Sequence, residues 1–155
     1  MGVTGAGKTT VGKLVAEHLG LPFVDADDFH DPENIERMRR GEPLNDAART
    51  PWLDRLNAKL REHASSGVVL ACSALKQTYR ARLTRGVESV EFVVLSGPPE
   101  LLRERIEART DHFAPASLLP SQIEALEIPT DSIVIGVDRE PAAVAANVIV
   151  ALGLA

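Results

Sequence analysis

The sequence predicts an α/β fold whose parallel sheet is flanked by helices. Short apolar segments alternate with stretches of helical periodicity, a pattern typical of parallel sheets. A glycine-rich motif also precedes the first helical stretch, where such folds bind phosphate groups. Because the 155 residues contain no repeat or linker, residues 1–155 are predicted to form a single domain.

The first elements follow from local patterns. Apolar residues at helical spacing over 11–19 predict a helix that Gly20 ends, and residues 21–24 predict a short strand running into Asp25. Asp31-Pro32 and Thr50-Pro51 each predict the start of a further helix, since Asp and Thr cap helices and proline suits the first position.

The remaining elements alternate in the same way. An apolar run without polar interruption predicts a strand buried on both faces. In order, the predicted elements are a strand over 68–72, a helix over 75–83, a strand over 92–95, a helix from Pro98, an aperiodic loop over 110–117, a short helix to Glu127, a strand over 133–137 and a helix from Pro141.

Composition excludes several classes of function. The formal net charge of −5 argues against non-specific binding of nucleic acid or of an anionic membrane, so an anionic ligand needs a local positive cleft. Without an apolar run long enough to span a bilayer, and with Cys72 as the one cysteine, we expect a cytoplasmic protein.

Residues 2–9 match the phosphate-binding motif G-x-x-x-x-G-K-[ST]. Its glycines let successive main-chain N–H groups point at phosphates at the start of a helix. Lys8 is expected to reach the β- and γ-phosphates of a nucleotide, and the Thr9 hydroxyl is a candidate Mg²⁺ ligand.

A second candidate site is the stretch DADDFH, which begins at the end of the strand predicted over 21–24. Asp25 and Asp27 lie two residues apart and therefore point to one side of an extended chain. One carboxylate is suited to Mg²⁺ and the other to the proton of an acceptor hydroxyl. The alternative is that Asp27 or Asp28 only caps a turn.

Two pairs of cations have helical spacing near predicted strand ends. Lys76 and Arg80 follow one strand, and Arg105 and Arg109 precede the irregular loop. Each pair alone is compatible with a solvated helix face. Their position at the edge where phosphates are expected favours binding of anionic oxygens.

Taken together, these motifs resemble the gluconokinase family, in the shikimate-kinase-like branch of phosphate-loop kinases. The resemblance runs almost end to end and rests on the phosphate loop, DADDFH, NIERMRRGEPLND, RTPWL, CSALKQTYR and HFAPASLLPSQIEALEIP. It implies a P-loop kinase fold with a parallel sheet of order 2-3-1-4-5, a mobile lid at about 110–118 and a possible homodimer. It also implies transfer of the γ-phosphate from ATP, with Mg²⁺, to the 6-hydroxyl of D-gluconate.

The same resemblance implies roles for individual residues. Asp27 would bind the acceptor hydroxyl and act as base, with Lys8 and Arg109 as the other catalytic residues. Thr9 and Asp25 would serve the metal. Gluconate would meet Asp27, His30, Arg49, Lys76 and Arg80, and ATP would meet Gly2, Thr4, Gly5, Ala6, Gly7, Lys8, Thr9, Thr10, Arg105 and Arg109.

Three positions depart from the family pattern: Ala48, Asp111 and Ala114. Ala48 stands where an acid usually precedes Arg49, and Asp111 adds a negative charge near the phosphates. The remaining alternatives are a kinase of shikimate or another polyol acid, and a nucleotide-binding regulatory module without turnover.

The implied fold also has a central strand immediately before the phosphate loop, yet only Met1 precedes Gly2. We therefore expect that this first strand is missing and that the natural chain begins several residues earlier, with an apolar run. The strands ending at Cys72 and Leu95 should then be separated by a slot or by some other segment.

Overall fold

The computed structural model describes residues 1–110 and 112–154, and these form alternating helices and short strands. The helices are α1 (Lys8–Leu19), α2 (Pro32–Arg39), α3 (Asp46–Glu62), α4 (Gln77–Leu83), α5 (Pro99–Glu107), α6 (Leu119–Ala125) and α7 (Pro141–Ala151); the strands are β1 (Phe23–Asp25), β2 (Val69–Ala71), β3 (Val93–Ser96) and β4 (Ile133–Gly136). Short 3₁₀ turns cover Ala26–Phe29 and Ala116–Leu118.

The strands form two parallel pairs. Strand β1 pairs with β2, with Asp25 opposite Ala71, and β3 pairs with β4, with Ser96 opposite Gly136. The α/β phosphate-loop kinase fold is confirmed, while the strand order 2-3-1-4-5 stays a prediction.

Between the two pairs lies the main chain of Met1 and Gly2. The N–H of Leu95 donates to the Met1 carbonyl over 2.9 Å, and the N–H of Gly2 donates to the carbonyl of Ser73 over 3.3 Å. In the described part of the chain, β2 and β3 are not paired with each other. The position of a central strand in the sheet order stays a prediction.

Parallel pairing brings the carboxyl ends of the strands to one edge of the sheet. The phosphate loop, Asp27 after β1, Ser73 after β2 and Val137 after β4 all line one cavity there. The largest apolar cluster lies beneath the loop and joins α1, α5 and α7, with Val15, Leu102 and Val148 among its buried members. The fold thus supports the loop from below with packed apolar side chains.

Most predicted elements are present, but one predicted helix start is wrong. Helix α3 begins at Asp46, because the side chain of Asn45 accepts the N–H of Ala48 over 2.8 Å and caps the helix there. Pro51, which the sequence predicts at the first helical position, lies inside this helix.

No helix in the described ranges is both long and apolar enough to cross a membrane.

Candidate active site

Residues 2–9 form a loop that only glycine permits at its critical positions. Gly5 and Gly7 have φ of +82°, in the left-handed region that side chains disfavour. A Cβ at Gly5 would lie 2.6 Å from the carbonyl oxygen of Leu102, and one at Gly2 would lie 2.6 Å from that of Leu95. The glycines therefore allow the loop to press against α5 and β3 on its way into α1.

Lys8 begins α1 and is held inside the loop. Its ammonium group donates to the carbonyl of Val3 over 2.9 Å. Burial lowers the pKa of Lys8, although the nearby Asp27 carboxylate opposes that shift. The geometry concentrates one positive charge at the centre of the loop.

The predicted metal ligands contact each other. The Thr9 hydroxyl donates to Asp25 Oδ2 over 2.6 Å, while Asp25 Oδ1 accepts the N–H of Asp27 over 3.0 Å. Capping of the 3₁₀ turn is therefore done by Asp25, and not by Asp27 or Asp28. Among the described residues, no group of three or more His, Cys, Asp and Glu side chains could hold a metal ion on its own.

Asp27 projects into the cavity and meets the predicted lid segment. Its Oδ2 lies 3.0 Å from Nε2 of His112. Burial alone would raise the pKa of the Asp27 carboxyl, but the hydrogen bond from His112 and the positive charge of Lys8 outweigh it, so the pKa lies below its usual value. Asp27 is thus a carboxylate at neutral pH and can accept a proton.

Arg105, near the end of α5, and Arg109, just after it, lie beside the phosphate loop. Arg109 donates to the hydroxyl of Thr4 over 3.1 Å, and Arg105 donates to the carbonyl of Val137 over 2.6 Å. Both guanidinium groups line the cavity of about 820 Å³ that also contains Lys8 and Asp27. Three cations therefore surround the volume in front of the loop.

His30 lines the same cavity, and aromatic side chains pack against its ring. Its ring stacks on Trp52 at 4.4 Å between centroids and meets the edge of Phe113 at 6.2 Å. Burial lowers the pKa of His30 to about 4, so the ring is neutral. Its Nδ1 is buried and has no hydrogen-bond partner among the described residues.

A neighbouring cavity of about 640 Å³ shares Arg49 with the larger one. Lys76 lines this smaller cavity, and its ammonium group lies 2.9 Å from Asp46 Oδ1. Tyr79 donates its hydroxyl to the same carboxylate, and the Arg49 guanidinium lies 5.4 Å from the centre of the Tyr79 ring. Arg49 and Lys76 therefore face a common region beside the loop.

Arg80 is placed differently from the prediction. It is 6% exposed and lines neither of these two cavities. Its guanidinium donates to the carbonyls of Ala74 and Leu75, each over 3.0 Å. Ala74 has φ of +42°, so Arg80 stabilises an unusual turn after β2 instead of reaching the acceptor side.

Several residues of the site were not predicted as such. Gln122 on α6 lines both cavities and accepts the N–H of Thr4 over 2.7 Å, which connects α6 to the phosphate loop. His112 and Trp52 also line the larger cavity. All three belong to stretches that carry the family resemblance, but spacing alone gives no signal for their contacts.

The three departures from the family pattern have different surroundings. Ala48 lies in the first turn of α3, where its carbonyl accepts from Asn34 over 3.2 Å. Ala114 is buried in an apolar cluster with Met38, Leu44 and Leu118. Asp111 lies outside the described residues.

A phosphate loop at the carboxyl edge of a parallel sheet, with several cations and the Asp27 carboxylate around the volume before it, defines a phosphate-loop kinase. Comparison with known proteins narrows this class. Residues 4–150 match the sequence profile of the shikimate kinase family. A gluconokinase from Gluconobacter oxydans is 47% identical over 133 residues, which cover 84% of this chain and 75% of the relative. The chain belongs to the gluconokinase family, in the shikimate-kinase-like branch of these kinases.

Solved structures agree with that assignment. A sugar kinase from a Janibacter species is 44% identical and superposes with a TM-score of 0.91, covering 100% of this chain and 92% of that one. A gluconokinase from Sinorhizobium meliloti is 40% identical, with a TM-score of 0.86 and coverage of 99% and 89%. The family likeness thus extends over both the phosphate loop and the predicted lid segment.

Proposed function

We propose that this protein transfers the γ-phosphate of ATP to the 6-hydroxyl of D-gluconate, giving ADP and 6-phosphogluconate. The observation that carries the proposal is the single cavity in which Lys8, Arg105 and Arg109 surround the same volume as the Asp27 carboxylate. Family membership supports gluconate in particular, because relatives at 40–47% identity are gluconokinases.

The nucleotide is assigned to the phosphate loop. Its main-chain N–H groups and Lys8 would hold the phosphates, with Gly2, Thr4, Gly5, Ala6, Gly7, Thr9 and Thr10 as the other loop contacts. Arg105 and Arg109 would neutralise charge that develops on the transferred group. The close approach of Gly2 and Gly5 to neighbouring carbonyls supports this cradle, because it holds the loop in one conformation.

A magnesium ion fits the Thr9–Asp25 pair. A hydroxyl and a carboxylate 2.6 Å apart are oxygen ligands of the type Mg²⁺ prefers, and this ion usually takes its remaining ligands from water and phosphate. When bound, it would neutralise charge on the phosphate oxygens. Asp25 itself is held by the N–H of Asp27, which fixes the direction of its carboxylate.

The acceptor is assigned to the side of the cavity lined by Asp27, His30 and Arg49. The acceptor oxygen attacks the γ-phosphorus, the bond from that phosphorus to the β,γ-bridging oxygen breaks, ADP leaves, and the hydroxyl proton passes to Asp27. Arg49 and Lys76 supply positive charge for the gluconate carboxylate. His30 lines the cavity beside Asp27, which supports its assignment to the acceptor side.

A panel of acceptors tests this proposal. Release of ADP is measured with D-gluconate, other sugar acids and shikimate, and ³¹P NMR identifies the phosphorylated product. We expect gluconate to give the highest kcat/KM. Preference for shikimate would indicate the related kinase activity, and ATP binding without transfer to any acceptor would indicate a regulatory module.

The predicted homodimer, the cytoplasmic location and the mobility of the lid segment remain predictions. Light scattering of the purified protein measures the first of these directly.

A further inference from the structure

His112 connects the predicted lid segment to the carboxylate of Asp27. Its Nε2 lies 3.0 Å from Asp27 Oδ2, and its Nδ1 lies 3.0 Å from the main-chain nitrogen of Ala114. The two ring nitrogens thus contact two different parts of the molecule. The two residues that follow His112 also make contacts: Phe113 packs against His30, and Ala114 lies in the cluster with Met38.

These contacts define which nitrogen carries the proton. Because Nδ1 accepts the N–H of Ala114, it has no proton of its own. The neutral ring then carries its proton on Nε2, which donates to the carboxylate of Asp27. A doubly protonated ring would lose the contact with Ala114, so the lid segment selects one tautomer.

The other oxygen of Asp27 is left for a ligand. Within the described ranges, no donor makes a hydrogen bond to Asp27 Oδ1, while Oδ2 is engaged by His112. The further charges that act on this carboxylate are those of Lys8 on α1 and Arg109 after α5. His30 also faces it, from the end of the 3₁₀ turn that contains Asp27. Of these groups, His112 alone belongs to the lid segment.

We propose that His112 is a positioning residue for phosphoryl transfer. It holds one oxygen of the Asp27 carboxylate, so that the other oxygen can receive the proton of the substrate hydroxyl. Because the ring is fixed by the main chain of Ala114, this alignment exists only while the lid segment lies over the site. Closure of the lid and orientation of the proton acceptor are then a single event. The inference rests on the function proposed above and on the role of Asp27 in it.

Three substitutions of one residue test the proposal. His112→Ala removes both contacts, His112→Gln keeps a donor at the position of Nε2, and His112→Asn keeps an acceptor at the position of Nδ1 only. We expect kcat to fall about 10- to 100-fold in His112→Ala, as on loss of an orienting partner. The KM for ATP should change little, because the ring does not belong to the phosphate loop.

The decisive comparison is between the two amide variants. We expect His112→Gln to recover most of the lost kcat and His112→Asn to stay near His112→Ala. If the Gln variant is no faster than the Asn variant, the ring serves only to fold the lid segment and the proposal is wrong. His63→Ala, at the end of α3, is the matched control and should keep the original kcat.

A second measurement does not depend on turnover. Long-range ¹H–¹⁵N correlation spectra report the tautomer of each histidine, and the His112→Gln spectrum identifies the signals of His112. In the spectrum of the neutral ring the proton is expected on Nε2, and a proton on Nδ1 would overturn the proposal. Failure of gluconate as acceptor in the unsubstituted protein would instead count against the proposed function alone.

Discussion

The phosphate loop and the predicted lid segment line the same cavity but are held in different ways. Gly2 and Gly5 of the loop press against main-chain oxygens of Leu95 and Leu102, and the loop is buried from Gly2 to Ala6. The lid segment is held by side chains, through His112 on Asp27, Phe113 on His30, and Ala114 and Leu118 in the apolar cluster with Met38. Close main-chain contacts fix the loop, whereas side-chain contacts hold the lid segment.

The difference separates two kinds of perturbation. A change in the loop alters packed main chain and the charge that meets the nucleotide, so it should reduce stability or all turnover. A change in the lid segment removes contacts worth about 1 kcal/mol each and should act on particular steps. Asp27 touches both regions, because its N–H contacts Asp25 behind the loop and its carboxylate contacts the lid segment.

The largest effect is therefore expected at Asp27. Asp27→Asn keeps the shape of the side chain but removes the proton acceptor, so kcat should fall by about 10²- to 10⁴-fold. The affinity for ATP, measured by calorimetry, should stay near its original value. Asp25→Asn is the comparison, since it should instead raise the Mg²⁺ concentration that turnover requires. If both variants unfold, the pair is structural and these roles are wrong.

Loss of the loop cation should come next. Lys8→Ala removes a preorganised charge from the phosphates, and kcat should fall by about 10²- to 10³-fold. Lys13→Ala is the matched control, because Lys13 lies on the same helix, is exposed and lies over the ring of Phe23 at 5.8 Å. Steady-state ADP release measures both variants. Nearly normal turnover of Lys8→Ala would contradict the assignment of the loop to the nucleotide.

The loop main chain itself can be tested through stability. Gly5→Ala places a Cβ 2.6 Å from the Leu102 carbonyl at a φ of +82°. The left-handed conformation costs about 1–2 kcal/mol and the overpacking about 1–3 kcal/mol, so the free energy of unfolding should fall by about 2–5 kcal/mol. Gly86→Ala has a φ of +73° with nothing within 4 Å of the added Cβ, and should show the first cost alone.

Urea denaturation of the two glycine variants measures the difference. An equal loss of stability in both variants would mean that the loop moves away from the Leu102 carbonyl to make room for the added Cβ. The loop would then not be fixed by this contact, contrary to the comparison above.

The phosphate-loop motif can be predicted from the sequence because its chemistry is local. The glycines, Lys8 and Thr9 are adjacent in sequence, and the contact of Thr9 with Asp25 follows from the position of β1 beside α1. The pair Arg105 and Arg109 was also predicted near the phosphates, and both side chains line the cavity.

Other features depend on contacts that spacing does not encode. Arg80 has the same four-residue spacing from Lys76 as Arg109 has from Arg105, yet it turns to the carbonyls at Ala74, where φ is positive. Helix α3 starts at Asp46 because Asn45, which precedes Pro51 in the sequence, caps the helix. His112 reaches Asp27 across 85 positions of the sequence, a contact that only the tertiary fold creates.

The smallest effect concerns the lid segment, residues 110–118, whose amide hydrogen exchange should slow when ATP and D-gluconate are both bound. Its contacts with Asp27 and His30 are few, so the segment should open often without ligand. A closed site adds contacts to bound phosphate and acceptor, and one or two net hydrogen bonds are worth about 1.4 kcal/mol, or roughly tenfold slower exchange. Amides near Val148 and Ile149 at the end of α7, which pack in the main apolar cluster and do not line the cavity, are the internal control and should not change. Equal exchange of the lid segment with and without both ligands would show that it does not close over them. The phosphate loop and the lid segment would then differ in how they are held, but this difference would not affect turnover.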